Sequence, residues 1–298
     1  MSRTIDIAMT ALAPVVWGST YLVTTEALPQ GYPLTVAALR ALPAGLLLLA
    51  ITWSLPPRAW FGRLFVLGAL NFAIFWALLF VAAYRLPGGA AATLGALQAL
   101  MVIGFARWFL GTPIQGVSVL AATSGVAGVA LLLSGSDSSY DLIGILAAIG
   151  GTLSMAAGTV LSRKWQPNVP VLTFTAWQLT AGGLILLPVA IIAEPPLPPL
   201  TGTNLLGLAW LGLIGASATY WFWLRGIARL GPGPVAVLGM LSPVTAVLLG
   251  WLWLEQALTA LQLLGALIVV GAVWAGQASA RPTRLTAPQQ DAFPETSS

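Results

Sequence analysis

The sequence predicts an all-α integral membrane protein with ten transmembrane helices, arranged as two inverted repeats of five helices each. Three observations predict this fold: an apolar composition, ten apolar runs of membrane-spanning length, and a repeat between the two parts of the chain. Hydrophobic residues make up 58% of the 298 residues and charged residues only 7%, with a mean hydropathy of +0.91. A soluble domain carries about 25% charged residues, so most of this surface is expected to face lipid.

Ten runs in the sequence are long enough to cross a bilayer, which takes about 20 mostly apolar residues. The runs lie near 5–26, 33–53, 62–84, 88–108, 113–134, 142–162, 170–192, 204–226, 233–253 and 259–277. Proline, glycine or charged residues separate them, as in PQGYP at 29–33 and SGSDSSYD at 134–141. Residues 278–298 are polar and rich in Pro, Ser and Thr, which predicts a disordered cytoplasmic tail.

The basic residues indicate the orientation of the helices, because Lys and Arg concentrate on the cytoplasmic side of a membrane. With the N-terminus inside, only Arg85 falls in an outer loop, and Arg40 is the one charge expected within a helix. The residues on the inner side are Arg3, Arg58, Arg63, Arg107, Arg163, Lys164, Arg225, Arg229, Arg281 and Arg284. This asymmetry predicts that both termini are cytoplasmic.

A repeat appears when the chain is shifted by 144 residues, because YRLPGGAAATLGAL at 84–97 then lies over ARLGPGPVAVLGML at 228–241. The aligned pairs include Arg85 with Arg229, Gly95 with Gly239 and Gly68 with Gly212, and with small gaps Gly18 with Gly158, Pro33 with Pro170 and Gly45 with Gly183. Each repeat holds an odd number of spans, so residues 1–134 and 135–277 must have opposite orientations. Inverted repeats of this kind place a substrate site near the midplane and let access alternate between the two sides.

The C-terminal part of the chain reads LGMLSPVTAVLLGWLWLEQALTALQLLGALIVVGAVW at 238–274. This pattern resembles the C-terminal hallmark of the drug/metabolite transporter superfamily, in its ten-helix EamA-type branch. The matching positions are Pro243, Gly250, Glu255, Gln262, Gly265 and Gly271. WGSTYL in the first run is similar to the opening phrase of the family, and Arg40 matches the arginine of its second helix. The first repeat departs from the pattern, with Gln98-Ala99 in place of a proline and Gly111 opposite Glu255.

Polar and aromatic residues deep inside the apolar runs are the candidate substrate contacts. An amide left unpaired in hydrocarbon is costly, so each amide in the middle of a span must face protein or a cavity. Deep rings suit a cavity wall, and Trp76 and Tyr220 are equivalent under the 144-residue shift. The candidates are Trp17, Ser19, Tyr21, Arg40, Asn71, Trp76, Gln98, Trp177, Gln178, Tyr220 and Trp221.

Each candidate also has a purely structural interpretation, which the sequence leaves open. The amides could form hydrogen bonds between helices, and the rings could pack on one another. Arg40 could bind a substrate carboxylate, cap carbonyl groups of a neighbouring helix, or extend to the membrane interface.

Absent residue types exclude several classes of function. The chain has no Cys and no His, which removes disulfides, thiolate and imidazole chemistry and the commonest metal ligands. With no central pair of carboxylates either, we expect no enzyme activity, no cofactor and no metal. All 8 acidic residues fall at helix ends, in loops or in the tail, so a facilitator without a titrating coupling group is the simplest interpretation. Glu26 and Glu255 remain alternative coupling sites.

The resemblance to the EamA-type branch also implies a function. Within that branch the chain is similar to bacterial inner-membrane exporters of amino acids, including aromatic ones. We therefore expect export of small neutral or aromatic amino acids by alternating access through a central, aromatic-lined cavity. The expected partners are the small-molecule substrate and the lipid bilayer, with no nucleic acid, in a monomer or homodimer.

Other functions remain open from the sequence. Efflux of hydrophobic drugs, or of quaternary amines held by cation–π contacts, is the main alternative. Export of another small metabolite, a channel and a lipid-handling protein are further alternatives.

Overall fold

The computed structural model describes residues 2–86, 94–132, 141–253 and 259–279, and all regular secondary structure within these ranges is helical. Eight helices in the described part of the chain are long and apolar enough to cross a membrane, and two shorter apolar helices span Leu94–Leu110 and Gly116–Leu132. The all-helical fold is therefore confirmed for this part of the chain. The count of ten spans and their orientation stay predictions. The predicted tail falls outside the described residues from 280 onward.

The helices follow the predicted runs to within a few residues. The first half of the chain contains α1 (Arg3–Ala27), α2 (Pro33–Thr52), α3 (Phe61–Gly68), the π-helix π1 (Ala69–Ala73), α4 (Ile74–Arg85), α5 (Gln98–Leu110) and α6 (Gly116–Leu132). The second half contains α7 (Leu142–Lys164), α8 (Val171–Ala193), α9 (Gly202–Ala209), the π-helix π2 (Trp210–Ala218), α10 (Thr219–Leu230), α11 (Pro232–Leu238), α12 (Leu241–Trp253) and α13 (Ala260–Ser279).

Two of the long helices are interrupted by a π-helix in the middle. The segment π1 joins α3 to α4, and π2 joins α9 to α10, without a break in the helical chain. The 144-residue shift places π1 on residues 213–217, which lie inside π2. Because π-turns are rare and frequently occur at functional sites, their presence at matching positions of the two halves makes this level of the bundle a candidate site.

The two halves of the chain are interlocked. The helix α1 packs against α10 and α12 of the second half, and α7 packs against α4 and α5 of the first half. The helices α2 and α8 pack along each other, and α8 also contacts α3 and π1, as α2 contacts π2. The first and second helices of each half therefore lie among helices of the other half.

Glycines allow α2 and α8 to approach closely at two points. A Cβ added at Gly45 would lie 2.5 Å from the backbone nitrogen of Thr180, and one added at Gly183 would lie 2.6 Å from Cα of Leu42. The alignment of Gly45 with Gly183 also places Leu42 on Thr180. The contact of Gly45 with Thr180 therefore corresponds to the contact of Gly183 with Leu42, with the two helices interchanged. Such reciprocity is the mark of a contact around a two-fold axis.

Hydrogen bonds between the halves also close the end of the bundle opposite to the start of α1. The Glu194 carboxylate, which follows α8, accepts the backbone N–H groups of Leu34 (2.7 Å) and Thr35 (2.8 Å) and so caps α2. The Asn204 amide donates to the carbonyl of Ala27 at 2.9 Å. These bonds satisfy helix ends that have no partner within their own helix.

Asp141 also lies at this end, where it caps α7 by accepting the N–H of Ile143 at 2.7 Å. Its other oxygen accepts from Arg85 at 2.9 Å, and this hydrogen bond is the largest cause of the lowered pKa of Asp141. Because folding lowers the pKa of Asp141, its ionised carboxylate stabilises the fold at pH values above its pKa in the unfolded chain. This stabilisation is lost as the pH falls through its pKa in the folded protein.

The expectation that Arg40 is the one charge within a helix is wrong. Arg225 and Arg229 lie inside α10 and Arg163 inside α7, and their assignment to the inner side of the membrane stays a prediction. Asp6, at the fourth position of α1, and Arg225 are buried, whereas Arg163 is partly buried and Arg229 is exposed. The helices therefore continue past the apolar runs, and protein surrounds only some of the charged side chains at their ends.

We expect Gly45→Ala to lower stability by about 1–3 kcal/mol, because the added methyl group overpacks the contact between α2 and α8. Gly104→Ala is the matched control: Gly104 also lies in a helix, and nothing is within 4 Å of its added Cβ. The control is expected to be neutral or stabilising by about 0.4–1 kcal/mol. Thermal midpoints in detergent measure both variants, and equal effects would contradict the close contact.

Candidate functional site

Five aromatic side chains from both halves meet at the level of the π-helices, and we call them the ring cluster: Trp17, Phe72, Trp76, Tyr220 and Trp223. The Trp17 ring centroid lies 4.9 Å from that of Tyr220 and 5.0 Å from that of Trp223. Phe72 lies 4.6 Å from Tyr220 and 5.5 Å from Trp76. Tilted and edge-to-face geometries at these distances are the favourable ones for aromatic pairs.

Helical spacing brings these rings together from few segments. Phe72 and Trp76 are four residues apart, and Tyr220 and Trp223 are three apart, so each pair shares a helix face. Trp76 and Tyr220, which are equivalent under the 144-residue shift, contact each other edge to face at 6.1 Å. The aromatic side chains predicted from the two halves therefore meet directly.

The ring cluster is closed in this conformation. Phe72 is 0% exposed, Trp223 2%, and Trp76 and Tyr220 3% each. Trp17 is partly buried, and the rings pack on one another in this conformation. That these rings line a central substrate cavity stays a prediction.

The carbonyl oxygen of Gly215, in π2, accepts hydrogen bonds from three side chains beside the ring cluster. Arg40 Nη2 donates at 2.6 Å, Thr219 Oγ1 at 2.8 Å and Trp17 Nε1 at 3.2 Å. Trp17 Nε1 also donates to Thr219 Oγ1, at the shorter distance of 2.9 Å. The backbone N–H of Thr219 would bond to Gly215 in an α-helix, but here it bonds to the carbonyls of Ile214 and Ala216. The π-turn thus frees one carbonyl for donors from α1, α2 and α10.

Arg40 is buried next to the ring cluster. Its Cζ atom lies 4.7 Å from the centre of the Trp76 ring, within the range of a cation–π interaction. Its Nε atom has no hydrogen-bond partner among the described residues. The guanidinium therefore caps a carbonyl of a neighbouring helix, as one of its interpretations supposed, and still has a donor to offer.

A second polar group lies at π1, and we call it the amide cluster: Asn71, Ser162 and Gln178. Asn71 Nδ2 donates to Gln178 Oε1 at 2.8 Å and to Ser162 Oγ at 3.0 Å. The Ser162 hydroxyl donates to Gln178 Oε1 at 3.3 Å. Gln178 is 0% exposed, and its Nε2 has no partner among the described residues.

These two polar contacts occupy corresponding places in the two halves. The 144-residue shift places Asn71 on Gly215, and the alignment of Gly45 with Gly183 places Arg40 on Gln178. The bond from Arg40 to Gly215 and the bond from Asn71 to Gln178 each join the second helix of one half to the π-helix of the other. Arg40 is seven residues after the start of α2 and Gln178 is seven after the start of α8, or about 10 Å along each helix.

The remaining predicted residues lie apart from the ring cluster. Trp177 is buried at the contact of α8 with α3, where its Nε1 donates to the carbonyl of Ser54 at 2.7 Å. Ser19 accepts from the exposed Trp210 at 3.0 Å, and Trp221 packs on Phe222. Gln98 begins α5, and its buried Nε2 has no partner among the described residues. The side chain of Tyr21 lies outside the described residues.

Sequence reasoning missed four residues of the site and one backbone group. Phe72 and Trp223 carry a signal, because each lies at helical spacing from a ring that was predicted. Thr219 and Ser162 look like ordinary helix residues in the sequence. The free carbonyl of Gly215 depends on a π-turn, for which the sequence carries no visible mark.

A family comparison matches most of the chain in two parts. The EamA-like transporter family matches residues 4–134 and 142–275. A solved crystal structure that covers 94% of this chain superposes with a TM-score of 0.80 at 21% identity, and all of that chain is covered. At this identity the superposition shows a shared fold.

Several curated relatives align over most of their length. Protein PecM of Dickeya dadantii is 44% identical over 263 residues, which cover 88% of each chain. The uncharacterized inner membrane transporter YedA of Escherichia coli is 30% identical, in an alignment that covers 79% of this chain and 78% of YedA. A probable amino-acid metabolite efflux pump of Escherichia coli is 24% identical and covers 91% and 93%.

We expect Trp17→Phe to lower stability by about 1–2 kcal/mol more than Trp223→Phe, because only the first removes a made hydrogen bond. Both substitutions shorten a ring of the same cluster, and the Nε1 of Trp223 has no partner among the described residues. Thermal midpoints of the purified variants measure the difference. Equal losses would mean that the hydrogen bonds of Trp17 Nε1 to Thr219 and Gly215 contribute nothing.

Proposed function

Since the chain belongs to the EamA-like transporter family, we propose that this multi-pass membrane transporter exports small neutral or aromatic amino acids across a bacterial inner membrane. A relative described as a probable amino-acid metabolite efflux pump and one described as an inner membrane transporter support the proposal. The large excess of basic residues on the expected inner side agrees with cytoplasmic termini, whereas the direction of transport rests on the name of the efflux relative.

The observation that carries the substrate class is the Arg40 guanidinium beside the ring cluster. A buried arginine is costly in a membrane protein unless its charge is compensated, and the described contacts of Arg40 are a carbonyl and a ring. A substrate carboxylate supplies the missing negative charge and accepts from the free Nε. The rings then hold an apolar or aromatic side chain.

The sharing of the ring cluster between the two halves supports alternating access. Trp17, Phe72 and Trp76 belong to residues 1–134, and Tyr220 and Trp223 to residues 135–277. We propose that these parts are the two inverted repeats, and that their relative movement separates the rings and admits substrate from one side at a time. The closed cluster described above is then a state between the two openings.

Efflux of quaternary amines is the second candidate, since rings attract cations. The position of Arg40 argues against it, because the guanidinium already covers the face of Trp76 and repels a second cation. A carboxylate-bearing substrate avoids this repulsion.

We expect saturable counterflow of labelled tryptophan, phenylalanine or methionine into proteoliposomes that hold the unlabelled amino acid. An exchanger with a midplane site carries labelled substrate inward without any ion gradient. The same assay with Trp17→Ala and Gln98→Ala should show lower exchange at normal membrane abundance. If no amino acid is exchanged but a quaternary amine is, the amino-acid assignment is wrong and efflux of quaternary amines is supported.

We expect Arg40→Gln to reduce recognition of the carboxylate selectively. Loss of a charge-assisted hydrogen bond costs about 1.5–3 kcal/mol, or about tenfold to a hundredfold in affinity. Competition of tryptophan and tryptamine against labelled substrate measures the effect, and only the tryptophan affinity should fall. Thr219→Val is the comparison, because it removes another donor to Gly215 and the acceptor of Trp17 Nε1 but leaves the charge in place, so it should affect tryptophan and tryptamine alike. An equal loss of affinity for tryptophan and for tryptamine in Arg40→Gln would mean that Arg40 has only a structural role.

A further inference from the structure

Two buried polar groups near π1 have no hydrogen-bond partner among the described residues: Nε2 of Gln178 and the hydroxyl of Thr159. Both side chains are 0% exposed, and they come from α8 and α7, which both pack against π1. The bonds within the amide cluster use only the Oε1 atom of Gln178. Because buried polar groups almost always have partners, two unpartnered groups near one π-helix indicate a site for a polar ligand.

The side chain of Thr159 lies between the amide cluster and the ring cluster. Met155, Thr159 and Ser162 are four and three residues apart, so they share one face of α7. Met155 belongs to the same buried apolar cluster as the rings, and Ser162 belongs to the amide cluster. Thr159 therefore extends the amide cluster toward the rings.

Arg40 and the amide cluster lie at different levels of the bundle. The two glycine contacts show that α2 and α8 run antiparallel, with Gly45 beside Thr180. At this register Arg40 is level with Ile185, which is seven residues or about 10 Å from Gln178 along α8. The candidate site thus has a cationic end and an uncharged polar end.

The rings connect these two ends. Phe72 directly follows Asn71 of the amide cluster, and its ring centroid lies 5.5 Å from that of Trp76. The guanidinium of Arg40 lies over the Trp76 ring. A ligand that lies along these rings presents one end to the guanidinium and the other end to the amide cluster.

The free groups of the amide end define the ligand group that fits there. Nε2 of Gln178 can only donate, whereas the Thr159 hydroxyl can donate and accept. The donor Nε2 disfavours a cation, and a carboxylate finds a stronger partner in the guanidinium at the other end. An uncharged oxygen, in a hydroxyl or carbonyl group, is therefore the matching ligand group.

We propose that Gln178 and Thr159 form a distal subsite, which binds a hydroxyl or carbonyl group at the far end of the substrate side chain. Nε2 of Gln178 donates to this oxygen, and a substrate hydroxyl donates in turn to Oγ1 of Thr159. The substrate class is then an aromatic amino acid with a polar oxygen on the ring, so tyrosine is preferred to phenylalanine. This choice among amino acids rests on the proposed export function.

Competition in the counterflow assay measures the preference. Unlabelled tyrosine should compete with labelled tryptophan about tenfold more strongly than unlabelled phenylalanine, because phenylalanine leaves the buried amide N–H without a partner. Equal competition by the two amino acids overturns the distal subsite and leaves the export function in place.

Thr159→Val separates a ligand contact from a structural one. The hydroxyl has no partner among the described residues, so its removal should not lower the thermal midpoint, whereas the preference for tyrosine should fall severalfold. Gln178→Met should abolish the preference as well. Gln277→Met is the control, because Gln277 is also buried but donates to the carbonyl of Pro234, and it should keep the tenfold preference. A tenfold preference that survives in Thr159→Val or in Gln178→Met overturns the proposal.

Ligands without a carboxylate separate this proposal from the amino-acid assignment. p-Cresol and toluene reproduce the side chains of tyrosine and phenylalanine, and neither needs Arg40. At equal concentrations in detergent, the thermal midpoint should be higher with p-cresol than with toluene, by a difference that shrinks in Thr159→Val. This result in a protein that exchanges no amino acid contradicts the export function and supports the distal subsite. A difference that is the same in the wild type and in Thr159→Val overturns the subsite.

Discussion

The centre of the molecule depends on one backbone oxygen, the carbonyl of Gly215. A carbonyl without a partner is costly where no water reaches, and π2 creates such a carbonyl in the middle of a long helix. Side chains from α1, α2 and α10 satisfy it together, and each is fixed in place by doing so. The position of the Arg40 guanidinium follows from this acceptor, and the Trp17 ring is oriented by it together with the Thr219 hydroxyl, to which Trp17 also donates.

The first half of the chain has a corresponding polar contact at π1, formed by different chemical groups. At π1 the polar group comes from the side chain of Asn71, and the second helix supplies Gln178 in place of an arginine. Arg40 and Gln178 are each seven residues from the start of their helix, and Trp76 contacts Tyr220 nearby in the ring cluster. A repeat that is weak in sequence is therefore visible in the pattern of contacts as pairs of bonds and pairs of rings.

The helices could be predicted from sequence because a lipid bilayer requires a minimum length and hydrophobicity of each spanning segment, and both can be read directly from the sequence. Trp76 and Tyr220 could be predicted for the same site because the shift that aligns Arg85 with Arg229 also aligns them. The Gly215 carbonyl could not, since a π-turn changes hydrogen bonds without changing composition. Asp6 and Arg225 were assigned to helix ends for a related reason: hydropathy reports the average surroundings of a segment, whereas the partner of a charge lies on a helix more than 200 residues away. Which predicted side chains touch substrate stays a prediction.

The difference between Arg40 and Gln178 has a consequence for direction. In an inverted repeat, exchanging the conformations of the two halves turns a transporter that faces one side into one that faces the other. Identical halves would make these two states equal in free energy, so the empty protein would spend half its time facing each way. If the two halves of this chain move as the proposed inverted repeats, a cation in one half and an amide at the matching position of the other make the two states unequal in free energy. The side to which the unloaded protein faces at rest then depends on Arg40 and Gln178.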